Sequence, residues 1–321
     1  AGAGGVGKVM AEWIIDGEPS LDLHEMNIRR FGTHYADMDF VTEKAREEYH
    51  YYYHLRYPAD ENIWGRNHRK SPLYNRLTSL GAEFSEKNGW ERVNFFNPDK
   101  PSRQAGADQH QWGWGRPAYH DLVRAECLAA RERVALFDMT SFGKFEVNGD
   151  GALGLLQRVA CNNVDRPVGS LVYTQFLNAH GGIESDLTVC RLATDRFRVI
   201  TGTSFLSNDL EWVRQHAPED GSVEVRDVTD DLACIGLWGP NAREVLDQAT
   251  DNDISNDTFP YLTAQELTVA GKPAWAQRVS YVGELGWEIH HPIDEMPQLY
   301  DALVAAGEPH GMVHFLSLIH I

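Results

Sequence analysis

Asn178-Ala179-His180-Gly181-Gly182-Ile183-Glu184-Ser185-Asp186-Leu187 is the stretch from which the fold can be read. Before it, residues 172–178 form a strand-like run, and Gly181-Gly182 marks a reversal, because glycine enters left-handed backbone at little cost. After it, residues 183–192 alternate, with Leu187 and Val189 on one side and Asp186 and Thr188 on the other, which predicts a half-buried strand. The unit is a strand, a glycine turn and a strand that delivers a carboxylate soon after the turn. Asp186 stands among Ile183, Leu187 and Val189, where an unpaired carboxylate is costly. On spacing alone it also reads as a hairpin cap or a solvated group. About a hundred residues later, Ser280-Tyr281-Val282-Gly283-Glu284-Leu285-Gly286-Trp287-Glu288-Ile289 repeats the pattern with two carboxylates, and in isolation it reads equally as an ordinary polar hairpin.

Working outward, helices are expected at 118–133, 150–160, 204–216, 240–249 and 295–306. Strands are expected at 143–147, 196–201, 233–238, 265–270, 274–280 and 285–290. Helices mixed with hairpin-joined strands predict an α+β fold and not a doubly wound parallel sheet. The first hundred residues read differently. A glycine turn and a short helix fill 1–16, stopped by Gly17 and Pro19, and 20–31 is expected to be extended. A tyrosine-crowded helix at 41–57, a polar loop at 58–72 and a helix at 72–80 follow. Glycines and prolines make 97–117 the best linker. The division expected is 1–31, 32–96, a linker at 97–115, 116–315, and an unmatched tail at 316–321.

With 321 residues and 42% hydrophobic content, the chain can build two cores. No run approaches the roughly 18 apolar residues of a membrane span, and Glu12, Asp16 and Glu18 exclude a secretory signal near the start. A formal net charge of −18 repels phosphate backbones, so neither nucleic acid nor a membrane is expected as a partner. Cys127, Cys161, Cys190 and Cys234 are scattered without a C-x-x-C pair, which suits a reducing compartment and gives no zinc signature. The expected location is cytoplasmic, or the mitochondrial matrix in a eukaryote. His50 and His54 have helical ligand spacing but no third ligand nearby, His290 and His291 should face opposite sides of a strand, and Trp112 and Trp114 should pin the linker. No metal is expected. The missing initiator Met and the apolar run at 315–321 predict a piece of a longer protein.

Gly2-Ala3-Gly4-Gly5-Val6-Gly7-Lys8 fits two phosphate-binding patterns at once. The G-x-G-x-x-G reading needs a preceding strand and a proper second strand. The G-x-x-x-x-G-K reading needs Ser or Thr where Val9 stands. A plain helix-capping turn is a third reading. A fourth comes from resemblance: Gly4-Gly5-Val6-Gly7, Glu12-Trp13-Ile14 and Gly17-Glu18-Pro19-Ser20-Leu21-Asp22-Leu23 are similar to the end of the FAD domain in dimethylglycine and sarcosine dehydrogenases. That resemblance implies that Gly4, Gly5, Val6 and Gly7 bind FAD, with helix-start N–H groups facing the flavin edge that becomes anionic on reduction. Arg29-Arg30-Phe31-Gly32, Ala45-Arg46-Glu47-Glu48-Tyr49, Gly65-Arg66 and Ser71-Pro72-Leu73-Tyr74 resemble the same family's central oxidoreductase region.

The two hairpin motifs, together with Phe137-Asp138-Met139-Thr140-Ser141-Phe142-Gly143-Lys144 and Leu237-Trp238-Gly239-Pro240-Asn241-Ala242, resemble the glycine-cleavage aminomethyltransferase over roughly 116–313. The whole chain thus looks like a dehydrogenase that fuses a flavin amine-oxidising half to a folate half. It would carry the tail of an FAD-binding α/β domain followed by an aminomethyltransferase-like folate-binding domain. The family's first nucleotide-binding part, its later Leu-Arg-x-Glu-Lys helix and its closing barrel are not matched. The resemblance implies Glu288 as the acceptor for the pterin N3–H and 2-amino group, and Tyr281 as a stacking or hydroxyl-donating partner. It implies Asp186 as the catalytic carboxylate beside N5 and N10, and Tyr173 as a lining residue. The expected function is oxidative demethylation of dimethylglycine or sarcosine with FAD, the one-carbon unit passing to tetrahydrofolate as 5,10-methylenetetrahydrofolate; the electron acceptor is left open. A folate-dependent aminomethyltransferase without redox chemistry and a non-catalytic dinucleotide-binding or interaction module are the alternatives.

Overall fold

The computed structural model describes residues 2–56, 61–99 and 114–315. Most of the linker, with Trp112, and the 316–321 tail therefore lie outside the described residues. The chain opens with α1 (Ala3–Asp16), whose Gly17 C-cap is left-handed, as a stop glycine should be. The glycines expected to form a turn lie inside this helix instead. Gly4 and Gly5 fall in the first turn, before the first intrahelical bond (Val6 N–H to Gly2 O, 2.9 Å), and Gly7 lies in its body. Residues 24–36, expected in part to be extended, form short 3₁₀ turns, and the one at Ile28–Arg30 is capped by Asn27, whose Oδ1 accepts the Arg29 N–H (3.0 Å). Next come α2 (Met38–Tyr51), α3 (Tyr74–Ser79), and a hairpin of β1 (Ala82–Lys87) and β2 (Trp90–Phe96).

The second half runs α4 (His120–Glu132), β3 (Ala135–Asp138), β4 (Gly143–Asn148), α5 (Ala152–Val159), β5 (Leu171–Leu177), β6 (Ile183–Ala193), β7 (Arg196–Thr201), α6 (Leu206–His216) and β8 (Glu224–Asp227). It continues through β9 (Leu232–Trp238), α7 (Ala242–Ala249), β10 (Thr263–Val269), β11 (Lys272–Arg278), β12 (Gly286–Pro292), α8 (Met296–Gly307) and β13 (Val313–His314). Among the described residues these build a six-stranded sheet, ordered β10-β11-β12-β9-β3-β13, and a five-stranded sheet, ordered β5-β6-β7-β4-β8. Pairing is antiparallel except between β13 and β3. The α+β class expected from the sequence is the class found.

Each sheet is sealed on one side by helices whose apolar residues recur at helical spacing. Ala152, Leu155, Leu156 and Val159 of α5 meet Leu187, Val189, Phe197 and Val199 of the five-stranded sheet. Met296, Leu299, Tyr300 and Leu303 of α8 meet Trp287 and Ile289 of β12 and Ile235 and Leu237 of β9. Leu73, Leu77, Phe84 and Val93 join this second cluster. The segment 73–96, grouped with the N-terminal part on sequence grounds, therefore packs into the core of the second half. The remaining faces of the two sheets carry Cys190, Arg198, Cys234, Gln277, Glu288 and His290, all buried. A polar layer in that position is not what a simple two-layer core would choose.

Candidate functional site

The β5–β6 hairpin is held by its own turn. Asn178 Oδ1 accepts the N–H groups of His180 (3.0 Å) and Gly182 (2.8 Å), and Gly181 supplies the positive φ of +79°. In register, Gln175 pairs with Asp186 and Tyr173 with Thr188. Ser185, Leu187 and Val189 point into the core, which sends Asp186 to the open face. There the Tyr173 hydroxyl donates to Asp186 Oδ2 at 2.9 Å, and this bond holds the phenol above its ordinary pKa. The sequence placed Asp186 among apolar neighbours. The structure gives it a hydroxyl partner and solvent.

Asp186 and Tyr173 lie on the wall of a cleft of about 920 Å³, together with Met139, Phe142, Thr188, Tyr261, Tyr281 and Glu288. Tyr173, Tyr261 and Tyr281 are each more than half exposed, so they present ring and hydroxyl to whatever enters. The four folate-site candidates read from the sequence all converge on this cleft. Tyr261 was not among them; it stands just ahead of β10, and only the fold brings it to the others. A neighbouring cleft of about 690 Å³ lies between residues 13–29 and the β5–β6 hairpin, and it shares Ile183, Glu184 and Phe205 with the first.

Glu288 differs from Asp186 in its setting. It is 8% exposed, and burial pushes its carboxyl up to about 7 against the opposing pull of Lys144. Across β9 it faces Gly236, where a Cβ would come within 2.3 Å of the Trp238 ring. Across β11 it faces Gln277, whose side-chain amide is buried without a hydrogen-bond partner. Two residues along β12, His290 Nε2 lies 3.7 Å from Cys234 Sγ. Burial holds that imidazole well below its ordinary pKa and the thiol well above its own.

The ligand atoms of Cys234, Glu288 and His290 all fall within 4.8 Å of one another, a spacing a metal would accept. Lys144, however, directs its positive charge at all three, and the thiol and imidazole are both held neutral. We therefore read the group as a polar layer and not as a ligand set. The Lys144 ammonium is fully buried, pushed down to about 8 by burial, and donates to Thr140 O (2.9 Å) and Phe142 O (2.7 Å). Lys144 and Cys234 come from strands other than that of Glu288, so no sequence pattern announces their meeting with it, whereas His290 shares its face of β12.

Elsewhere, the His50 and His54 rings stack at 6.3 Å, and His50 also stacks on Trp64, which makes them a packed aromatic pair. His290 and His291 face opposite sides as expected, with His291 Nδ1 donating to Pro273 O (3.0 Å). At α1, a methyl group in place of the Gly4, Gly5 or Gly7 hydrogen would meet nothing within 4 Å, and the first turn holds no acidic residue. Close approach by an anionic group is thus open there. No helix among the described residues is long and apolar enough to cross a membrane.

Residues 73–316 match the GCVT N-terminal domain, and residues 16–71 match the FAD dependent oxidoreductase central domain. The chain is 35% identical to human mitochondrial sarcosine dehydrogenase, over 97% of this chain and 38% of that protein. It is likewise 35% identical to human mitochondrial dimethylglycine dehydrogenase, over 98% of this chain and 36% of that protein. It therefore spans little more than a third of the length of these relatives. Among solved structures, the glycine cleavage system aminomethyltransferase T from Bartonella henselae aligns with a TM-score of 0.62 at 22% identity, covering 78% of this chain and 60% of that one, which is a likeness of fold.

Proposed function

Since the chain belongs to the GCVT N-terminal domain family and carries an FAD dependent oxidoreductase central domain ahead of it, we propose that it is the folate-handling part of a flavin-dependent N-methylglycine dehydrogenase. The substrate would be dimethylglycine, sarcosine or a close N-methylated amine, and the product 5,10-methylenetetrahydrofolate. The observation that carries this reading is the convergence of Tyr173, Asp186, Tyr281 and Glu288 on one cleft. Its volume is within the roughly 300–1,000 Å³ typical of small-molecule sites. The match of residues 16–71 favours the fused dehydrogenase over a transferase without redox chemistry.

The roles follow from the settings. Glu288, buried at the inner wall, accepts the two adjacent donors of a pterin edge, a pairing that suits an acceptor-only carboxylate. Tyr281 and Tyr261 offer aromatic faces beside it. Asp186, exposed and already oriented by the Tyr173 hydroxyl, takes the proton lost when a folate nitrogen bonds to the one-carbon unit, and its negative charge offsets the positive charge of an incoming iminium. FAD, when bound, supplies the oxidation of the N-methyl group. From this chain Gly4 and Gly5 would meet it through the free N–H groups at the start of α1, with Val6 and Gly7 alongside, the Val6 N–H being already bonded to Gly2 O. We place the division between the two parts near residue 72, where the core membership changes. Expression of the longer gene product tests the reading. It should contain bound flavin, and Asp186→Ala should leave amine oxidation nearly intact while free formaldehyde accumulates. Collapse of oxidation in that variant, or a flavin-free full-length protein, would remove the proposal.

A further inference from the structure

Lys144 has no role in the chemistry above, yet the fold invests in it. It lies at the interface between the two sheets, fully buried, and among the described residues no carboxylate comes within 4.0 Å of its ammonium. A buried ammonium satisfied only by two carbonyls is expensive and is retained where its charge has a use. The Thr140 and Phe142 carbonyls that hold it belong to the turn between β3 and β4. That turn is tied to β9 at Cys234: Met139 N–H donates to Cys234 O at 2.9 Å, and Cys234 N–H donates to Thr140 Oγ1 at 3.4 Å. Cys234 Sγ in turn lies within 4.8 Å of a Glu288 carboxylate oxygen. The turn that holds the ammonium is thereby tied, through Cys234, to the strand beside the carboxylate that lines the cleft.

Asp138, Asp227 and Asp230 are the carboxylates whose charge acts on Lys144, and among the described residues Lys144 is the charge that acts on Glu288. The other groups facing Glu288 are neutral: the Cys234 thiol from β9, the Gln277 amide from β11 and the His290 imidazole along β12. Without a positive neighbour, a carboxylate buried there would keep its proton, and its O–H would oppose one of the two donors on a pterin edge. We propose that Lys144 is the charge partner of the pterin-anchoring carboxylate, a positioning residue that keeps Glu288 ionised so that it accepts both donors. This rests on the assignment of Glu288 as the anchor.

The test is calorimetric titration of the 321-residue chain with 5-formyltetrahydrofolate across a pH series. Wild type should bind on an alkaline plateau and lose affinity about tenfold per pH unit below a midpoint near 7. Lys144→Met should keep the plateau but move the midpoint up by about one pH unit or more, and Lys144→Arg should restore it. An unmoved midpoint, or an equal loss of affinity at every pH, is what a merely structural lysine would give, and it overturns the proposal. Glu288→Gln separates the two readings. If it binds as wild type does, the anchor assignment fails; if binding is lost while Lys144→Met leaves the midpoint in place, only the role of Lys144 fails. Should Lys144→Met not fold, Lys144→Gln in the same pH series decides: a midpoint raised by about one pH unit or more supports the proposal, and an unmoved midpoint refutes it.

Discussion

Glu288→Gln should make the protein more stable and less able to bind, and the structure says by how much. An ordinary glutamate titrates near 4.5, whereas burial holds Glu288 near 7. The folded state therefore keeps this proton over a pH range in which the unfolded chain has released it. The stabilisation is complete below 4.5 and is lost as pH rises through 7. At about 1.4 kcal/mol per pH unit, the loss across that window is about 3 kcal/mol. Glutamine occupies nearly the same volume, cannot ionise, and carries no such slope. Urea denaturation of both proteins at about pH 5, 6, 7 and 8 should give a difference in unfolding free energy that grows by about 2.5 kcal/mol in favour of the variant towards the alkaline end, since part of the loss precedes pH 5. A constant offset from the amide's own unsatisfied atoms does not alter that slope. The same variant should lose about 1.5–3 kcal/mol of folate binding, or about ten- to hundredfold in Kd, because a charge-assisted acceptor is gone. A pH-independent stability difference would refute the claim that a buried anion stands at this position.

Two further outcomes follow from single contacts. Tyr173→Phe removes the 2.9 Å donor that orients Asp186, and should slow one-carbon transfer by about fivefold, from about 1 kcal/mol, with Kd for folate nearly unchanged; stopped-flow transfer rates and titration together check both halves. Gly236→Ala drives a methyl to within 2.3 Å of the Trp238 ring, directly across the strand pair from Glu288, and should destabilise by about 1–3 kcal/mol in urea unfolding.

The parts of the fold that could be read from the sequence are those whose partners lie within one element. α5 shows its buried residues at the i, i+3, i+4, i+7 positions Ala152, Leu155, Leu156 and Val159, and β6 alternates openly. The β1–β2 hairpin escaped notice although Asn88-Gly89, both at positive φ, is a strong two-residue turn signal. Its flanks hide it: Glu86 and Glu91 look like surface residues but are buried against Lys44 and Arg66, charges supplied from elsewhere in the chain. The glycines of α1 misled in the other direction, because a helix whose residues are largely exposed tolerates them where a packed helix would not. Of the candidate site, Asp186, Tyr173, Tyr281 and Glu288 were named through the family resemblance that their hairpins carry and not from the hairpins alone, whereas Lys144 and Tyr261 gain meaning only from segments distant in sequence.

The β5–β6 pairing has a consequence for how this site tolerates change. Side chains on a strand obey an even–odd rule, so a slip of one position would exchange Asp186 for Leu187 on the cleft wall and drive the carboxylate into the apolar interior that Leu187 occupies. What prevents the slip is the short loop between Leu177 and Ile183, closed by the Asn178 side chain. The placement of Asp186 on the cleft wall thus depends on the parity of a loop length. One residue inserted or deleted between Asn178 and Ile183 would turn its carboxylate off that wall, while a two-residue change would keep it there.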